Sequence, residues 1–296
     1  MSFTGIVKNE VSKIDSNEFE KIAELNAILT NGAVIDNDII KITTENASVA
    51  RRIYNLIKDI YKFIPNIIVR KSLKFNKKLI YIVYFKKNNI EIMNIPKKYI
   101  IDDEESMRAY LRGVFIITGS INDPKTSRYH LEFLVSDYDY ALFLNELLNN
   151  YKLNSKVLTR ENKYMVYIKE AEKISDFLRV ISAYNAVLYY EDIRIYRDHK
   201  NMTNRLNNCE QANIDKVIET ANKQLNDIEI IKKVNIELLD EKEKIVALYR
   251  IKYPDVSLLE LSEIISMETG NKITKSGLYH RFKKISQLAC KLKEKL

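Results

Sequence analysis

The stretch "YLRGVFIITGSI" (110–121) decides the fold. It reads as the second half of a helix over about 104–118 that stops at Gly119 and turns into a strand. A small residue at Gly113 lets a second helix pack closely against this one, and Gly119 permits the sharp change from helix to strand. Outward from there the pattern is regular. "RYHLEFLVS" (128–136) alternates as a strand, residues 138–150 read as a helix, and "SKVLTR" (155–160) with "KYMVYIKE" (163–170) form a hairpin around Glu161-Asn162. A further helix begins near Ala171.

The same order stands earlier in the chain. Residues 17–30 carry an apolar stripe of Phe19, Ile22, Ala23, Leu25, Ile28 and Leu29 at helical spacing, and residues 47–61 read as a second helix. "NIIVRKSLKF" and "KKLIYIVYF" follow as strands hinged at Asn76-Lys77. Placing Gly32 on Gly119 gives an offset of 87 residues, and the second strands of the two hairpins align with a similar offset. This reads as internal duplication of a helix-strand-strand-helix unit; the competing reading is coincidence between two ordinary α/β segments.

"YLRGVFIITGSI" resembles the LAGLIDADG helix of homing endonucleases, with Leu111, Gly113, Val114 and Gly119 at the motif's leucine, first glycine, second leucine and final glycine. "AELNAILTNGAVI" (23–35) is a weaker copy, anchored by Gly32, with Asn26 at the first glycine. The resemblance implies an acid just before each final glycine, holding the metal for phosphodiester hydrolysis. Here those positions are Asn31 and Thr118, which lack the carboxylate a divalent cation needs. No catalytic residue is assigned, and Asp36 and Asp123 are the nearest acids for a relocated metal site. Between Arg51 and Lys98 lie thirteen basic residues, Arg52 among them, against Asp59 and Glu91. They fit either a DNA-facing saddle of strands or lysine-rich solvated hairpins.

Composition bounds the rest. The chain has 296 residues, 46% hydrophobic and 30% charged, which is ordinary for a globular protein of two domains. A formal charge of +8 favours a polyanionic partner. The longest apolar run, "LIYIVYF" (79–85), is too short to span a bilayer, and the N-terminus lacks a secretory pattern. Cys209 and Cys290 are isolated, fitting a reducing compartment, and His130, His199 and His280 have no zinc-ligand spacing. No cofactor, metal or membrane is expected.

Residues 203–234 are helical and polar, and residues 236–296 are all helical. Asp240 with Glu243 and Ser257 with Glu260 are capping boxes, Pro254 ends the first helix, and Gly270-Asn271 breaks the second. Thr274 caps a last helix running to the C-terminus, whose stripe Leu278, Phe282, Ile285, Ala289 and Leu292 turns Ser276, His280, Lys283 and Gln287 outward. From Thr269 onward eight basic residues face one acid. A basic helix behind a capped short one is how helix-turn-helix modules enter a major groove. The expected DNA-binding residues are Ser257, Leu258, Lys272, Thr274, Lys275, Ser276, Tyr279, His280, Lys283, Lys284 and Gln287. The connection from Ile265 to Thr274 reads as longer than the usual turn. A solvated bundle with a basic face is the plainer alternative.

A degenerate LAGLIDADG region followed by a helix-turn-helix resembles the WhiA family of bacterial regulators. "SFTGIVKNEVSKI", "PDVSLLELSEII" and "ITKSGLYHRFKKI" carry the likeness, as do Asn204, Arg205, Asn208, Cys209, Glu210, Ala212, Asn213 and Lys216 of the linker. The expected fold is α+β: a duplicated LAGLIDADG-type αββαββα domain (1–200), a helical linker (201–235) and an all-α helix-turn-helix domain (236–296). The resemblance implies a cytoplasmic, nucleoid-associated DNA-binding regulator of cell division and chromosome segregation, with sporulation roles in some relatives. Its partners would be double-stranded DNA and other regulatory proteins, in an oligomeric state the sequence leaves open. The alternative is a LAGLIDADG endonuclease or maturase with a relocated metal site.

Overall fold

The computed structural model describes residues 2–71, 79–87, 103–126, 128–161 and 163–293. It divides into two compact units, Met1–Asp198 and His199–Leu296. Unit one opens with helix α1 (Phe3–Val11), which the sequence reading passed over. Ser2 caps it, and Phe3, Val7 and Val11 bury one stripe at spacings of four. Helix α2 (Glu18–Gly32) starts at a full capping box: the Asn17 side chain accepts from the Glu20 N–H at 2.9 Å and Glu20 answers the Asn17 N–H at 3.3 Å.

Strands β1 (Ala33–Asp36) and β2 (Ile39–Thr44) follow, also unread in the sequence, joined by Asn37 and Asp38 at φ 47° and 60°. Two consecutive left-handed residues give the tight turn whose twist matches antiparallel strands. Helix α3 (Ala47–Tyr61) and strands β3 (Asn66–Lys71) and β4 (Leu79–Lys86) complete the first copy. The hinge at Asn76-Lys77 lies outside the described residues. The second copy runs α4 (Glu104–Thr118), β5 (Gly119–Ile121), β6 (Leu131–Val135), α5 (Tyr138–Asn150), β7 (Lys156–Arg160), β8 (Lys163–Ile168) and α6 (Ala171–Val180). The sheets have the same antiparallel order, β1-β2-β4-β3 and β5-β6-β8-β7, so the duplication read from the 87-residue offset is the architecture of the unit.

One continuous core joins the copies, with Ile40, Ile42, Val83 and Phe85 from the first sheet and Leu131, Phe133, Val166 and Ile168 from the second. The helices α2 and α4 meet at its centre. A Cβ on Gly113 would stand 2.5 Å from the Glu24 carbonyl oxygen and 2.9 Å from the Ala27 Cβ, so only glycine permits this approach. Beside that contact sits a buried ionic knot. Glu24, fully buried, accepts from Arg52 at 2.7 and 2.9 Å and from Arg112 at 3.1 Å. Burial works to lower the Arg52 pKa, but the Glu24 bond and surrounding carboxylates outweigh it and raise the value. Arg52 is thereby corrected from a surface cation to a structural one: its charge holds α3 on α2.

Unit two takes in most of helix α7 (Tyr184–Val234), which is longer than the polar stretch read from the sequence. A 3-10 turn (Ile236–Leu238) leads to α8 (Glu241–Lys252), α9 (Leu258–Thr269) and α10 (Lys275–Lys293). Ile228 and Ile231 of α7 join Val246, Leu261, Ile265, Leu278 and Phe282 in a second core. The connection expected after Ile265 is shorter than the sequence reading made it, though still longer than a three- or four-residue turn. The Thr269 hydroxyl donates to the Ile265 carbonyl at 2.6 Å, the helix runs on to Thr269, and Gly270 stops it at φ 68°. Only Gly270 to Thr274 remain as the turn.

Candidate nucleic-acid interface

The last helix is set by its cap. The Thr274 hydroxyl accepts from the Gly277 N–H at 3.2 Å and its carbonyl accepts from the Leu278 N–H at 2.9 Å. Leu278, Phe282, Ile285 and Ala289 are buried, which fixes the rotation of the helix. Lys275, Ser276, Tyr279, His280, Lys283, Lys284 and Gln287 then stand exposed, as do Thr274 and Lys272 in the preceding turn. Tyr279 is 56% exposed, large for an aromatic ring with no packing duty, and meets His280 edge-on at 5.9 Å. Lys284 is partly engaged, 3.7 Å from Glu243 of α8.

The two residues expected at the start of α9 also serve the fold. The Ser257 hydroxyl accepts from the Glu260 N–H at 3.3 Å while Glu260 accepts from the Ser257 N–H at 2.8 Å. Leu258 is half-buried against the second core, so its side chain supplies packing.

Arg250 is the residue that sequence reasoning missed. Buried at 1% exposure, it donates to the Gln224 side chain of α7 at 2.9 Å and to the Val256 carbonyl at 2.7 Å. Its guanidinium lies over the Phe282 ring at 5.6 Å. One side chain thus ties the linker helix, the turn before α9 and the last helix together. A lone arginine on an otherwise amphipathic helix gave no signal that it faced inward.

At the degenerate nuclease positions the side chains are spent on structure. The Asn31 amide donates to the Ala27 carbonyl at 2.8 Å and to the Tyr140 hydroxyl at 2.7 Å, and Tyr140 meets Tyr110 at 3.0 Å. Burial pushes both phenols above the usual tyrosine range. Thr118 bonds back to the Val114 carbonyl at 2.9 Å. Asp36 pairs with Lys41 at 2.6 Å, and Asp123 accepts from the Lys125 N–H at 2.9 Å in a turn. Among the described residues no group of three or more His, Cys, Asp or Glu is placed to hold a metal ion.

The outer sheet faces follow from register. On the first, Ile68 pairs with Ile82, Arg70 with Ile80, Lys41 with Tyr84 and Ile39 with Lys86. The face therefore mixes Ile68, Ile80 and Ile82, all partly solvent-facing, with Arg70, Lys86 and, in an inner strand, Lys41. On the second, Glu132 and Lys156 flank Tyr167, and Leu134 and Leu158 flank Met165. Lys74, Lys77, Lys78, Lys97 and Lys98 lie outside the described residues. Among the described residues no helix is long and apolar enough to cross a membrane.

Comparison with known proteins agrees with this architecture. Family models match in three successive parts: the WhiA N-terminal LAGLIDADG-like domain over residues 19–99, the WhiA LAGLIDADG-like domain over 107–200, and the WhiA C-terminal HTH domain over 203–289. The chain is 44% identical to a protein of Staphylococcus carnosus named "Probable cell division protein WhiA", covering 99% of this chain and 98% of that one. A protein of the same name in Staphylococcus aureus is 43% identical at the same coverage. The crystal structure of full-length DUF199/WhiA from Thermatoga maritima matches with a TM-score of 0.61 at 25% identity, over 98% of this chain and 99% of that one.

Proposed function

The chain belongs to the WhiA family, and from that premise we propose that it is a DNA-binding regulator of cell division, acting in the cytoplasm on the nucleoid and on chromosome segregation, without nuclease activity. One observation carries the reading: an exposed face of α10 on which Lys275, Ser276, Tyr279, His280 and Lys283 stand together over a buried apolar stripe. Lysines there neutralise phosphates, while Ser276, Tyr279 and His280 reach base edges. Changing Lys275, Lys283 and Lys284 together to Ala is expected to weaken duplex binding in a gel shift at physiological salt. Unchanged affinity would sink the proposal.

The first unit serves as a platform for other regulatory proteins. The partly exposed Ile68, Ile80 and Ile82 on its first sheet support that role. Residues 1–200 tested alone in a pull-down separate it from a DNA saddle. The absence of nuclease activity is supported by Asn31 and Thr118, whose polar groups are bonded within the protein. Plasmid cleavage with magnesium, abolished by Asp123→Ala, would restore the enzyme reading.

A further inference from the structure

Within the second unit a cleft of about 340 Å³ opens where three elements meet. Lys216 and Thr220 of α7 form one wall, Ser257 and Leu259 at the start of α9 another, and Lys275 at the start of α10 closes it. Arg250 lies behind them, so three cations line the cleft and no carboxylate does. Buried charges in proteins are normally paired. Among the described residues Arg250 is not paired with an anion: its partners there are the Gln224 side-chain oxygen, the Tyr253, Pro254 and Val256 carbonyls and the Phe282 ring, all neutral. Burial accordingly depresses its pKa. The N–H groups of Leu258 and Leu259, in the first turn of α9, have no intrahelical acceptor and add the positive end of a helix dipole.

We propose that this cleft seats a backbone phosphate of duplex DNA, so that the linker helix α7 is part of the interface. The proposal rests on the DNA-binding reading above and extends it from the last helix to α7. Lys216 holds the phosphate from the linker side and Lys275 from the recognition side, while Arg250 and the α9 N–H groups fix its depth. The track continues along α7. Asn213, Cys209 and Arg205 precede Lys216 at spacings of three, four and four, hence on one helical face, and all are exposed.

The test is fluorescence anisotropy of the full chain on a labelled random-sequence duplex across a salt series. Removing one phosphate contact with Lys216→Ala is expected to lower the salt slope by about 0.9 and the affinity about fivefold near physiological salt. Lys216→Arg should retain both. Lys216 is exposed, so the fold is expected to survive, as a thermal melt checks. If Lys216→Ala binds like the parent while Lys283→Ala is weakened, the cleft proposal falls and the reading helix stands. If neither variant is weakened, the DNA reading itself falls. Should inorganic phosphate raise the melting temperature of the parent but not of Lys216→Ala, with DNA affinity equal in both, the cleft belongs to free phosphate and the proposal is overturned. In a Cys290→Ser background, duplex DNA should slow maleimide labelling of Cys209; an unchanged rate would remove the upper track.

Discussion

Gly113→Ala adds one methyl group at the tightest point of the first unit, and its effect can be worked out in sign. In a free helix the change is favourable by about 1 kcal/mol, because alanine loses less backbone entropy. Here the new Cβ would lie 2.5 Å from the Glu24 carbonyl oxygen and 2.9 Å from the Ala27 Cβ, both on the facing helix α2. Backbone cannot swing aside as a side-chain end does, so α2 and α4 must part. A radial gap of about 0.5–1 Å forfeits a quarter to a half of each dispersion contact along the seam. Overpacking of this kind costs about 1–3 kcal/mol. The separation also stretches the Arg112–Glu24 bond across the same helices. We expect a net loss of about 2 kcal/mol, read as a lower urea midpoint of far-ultraviolet circular dichroism. The control is Gly277→Ala in α10, where the nearest atom to a new Cβ is Thr274 Oγ1 at 3.4 Å, an ordinary contact. That variant should gain up to about 1 kcal/mol. A midpoint for Gly113→Ala equal to or above the parent's would refute the close-packing argument.

Three further outcomes follow from named contacts. Glu24→Gln keeps the shape but leaves Arg52 without its buried anion and Arg112 with only the half-buried Glu20 at 3.3 Å, so unfolding free energy should fall by about 3–5 kcal/mol; a loss below about 1 kcal/mol would mean that the knot is not electrostatic. Ser257→Ala removes one half of a capping box and should cost about 1 kcal/mol in chemical denaturation of the second unit; no change would show that Glu260 alone caps α9. Burial lowers the Lys8 pKa from 10.5 to about 8. The unfolded chain then holds more protons between those values, so stability should rise as pH climbs from about 8 through the ordinary lysine range. Melting temperatures of the parent minus Lys8→Met across that range should show the rise, and a flat difference would place Lys8 in solvent.

Much of the fold was legible because it is written in periodicity and caps. Helices α3, α4 and α5 have capping Asn46, Asp103 and Asp137 ahead of an apolar stripe, and these local signals agree with the tertiary packing. Strands β1 and β2 escaped because "AVIDNDIIKITT" joins two short strands by Asn-Asp, a weaker turn signal than Asn-Gly. Helix α1 escaped because Thr4, Gly5 and Lys8 dilute a stripe of only three buried residues. At the candidate interface, exposure of the α10 residues followed from the stripe alone. The inward turn of Arg250 and the use of Ser257 and Leu258 did not, since a side chain's partners across the fold leave no mark on local spacing. The excess length assigned to the turn came from ending α9 at its last buried apolar residue, when the helix runs one turn further to Thr269.

The duplication has a consequence for recognition. Two identical subunits related by a two-fold axis must present the same surface twice, and whatever sits across them is read the same way in either direction. Joining the copies in one chain lifts that constraint. The first sheet has come to carry a cluster of isoleucines, the second a Glu132–Tyr167–Lys156 row, over one shared core. A partner seated across such a pair of faces can bind in one orientation and not its reverse. The scaffold thereby gains a head and a tail within one continuous core.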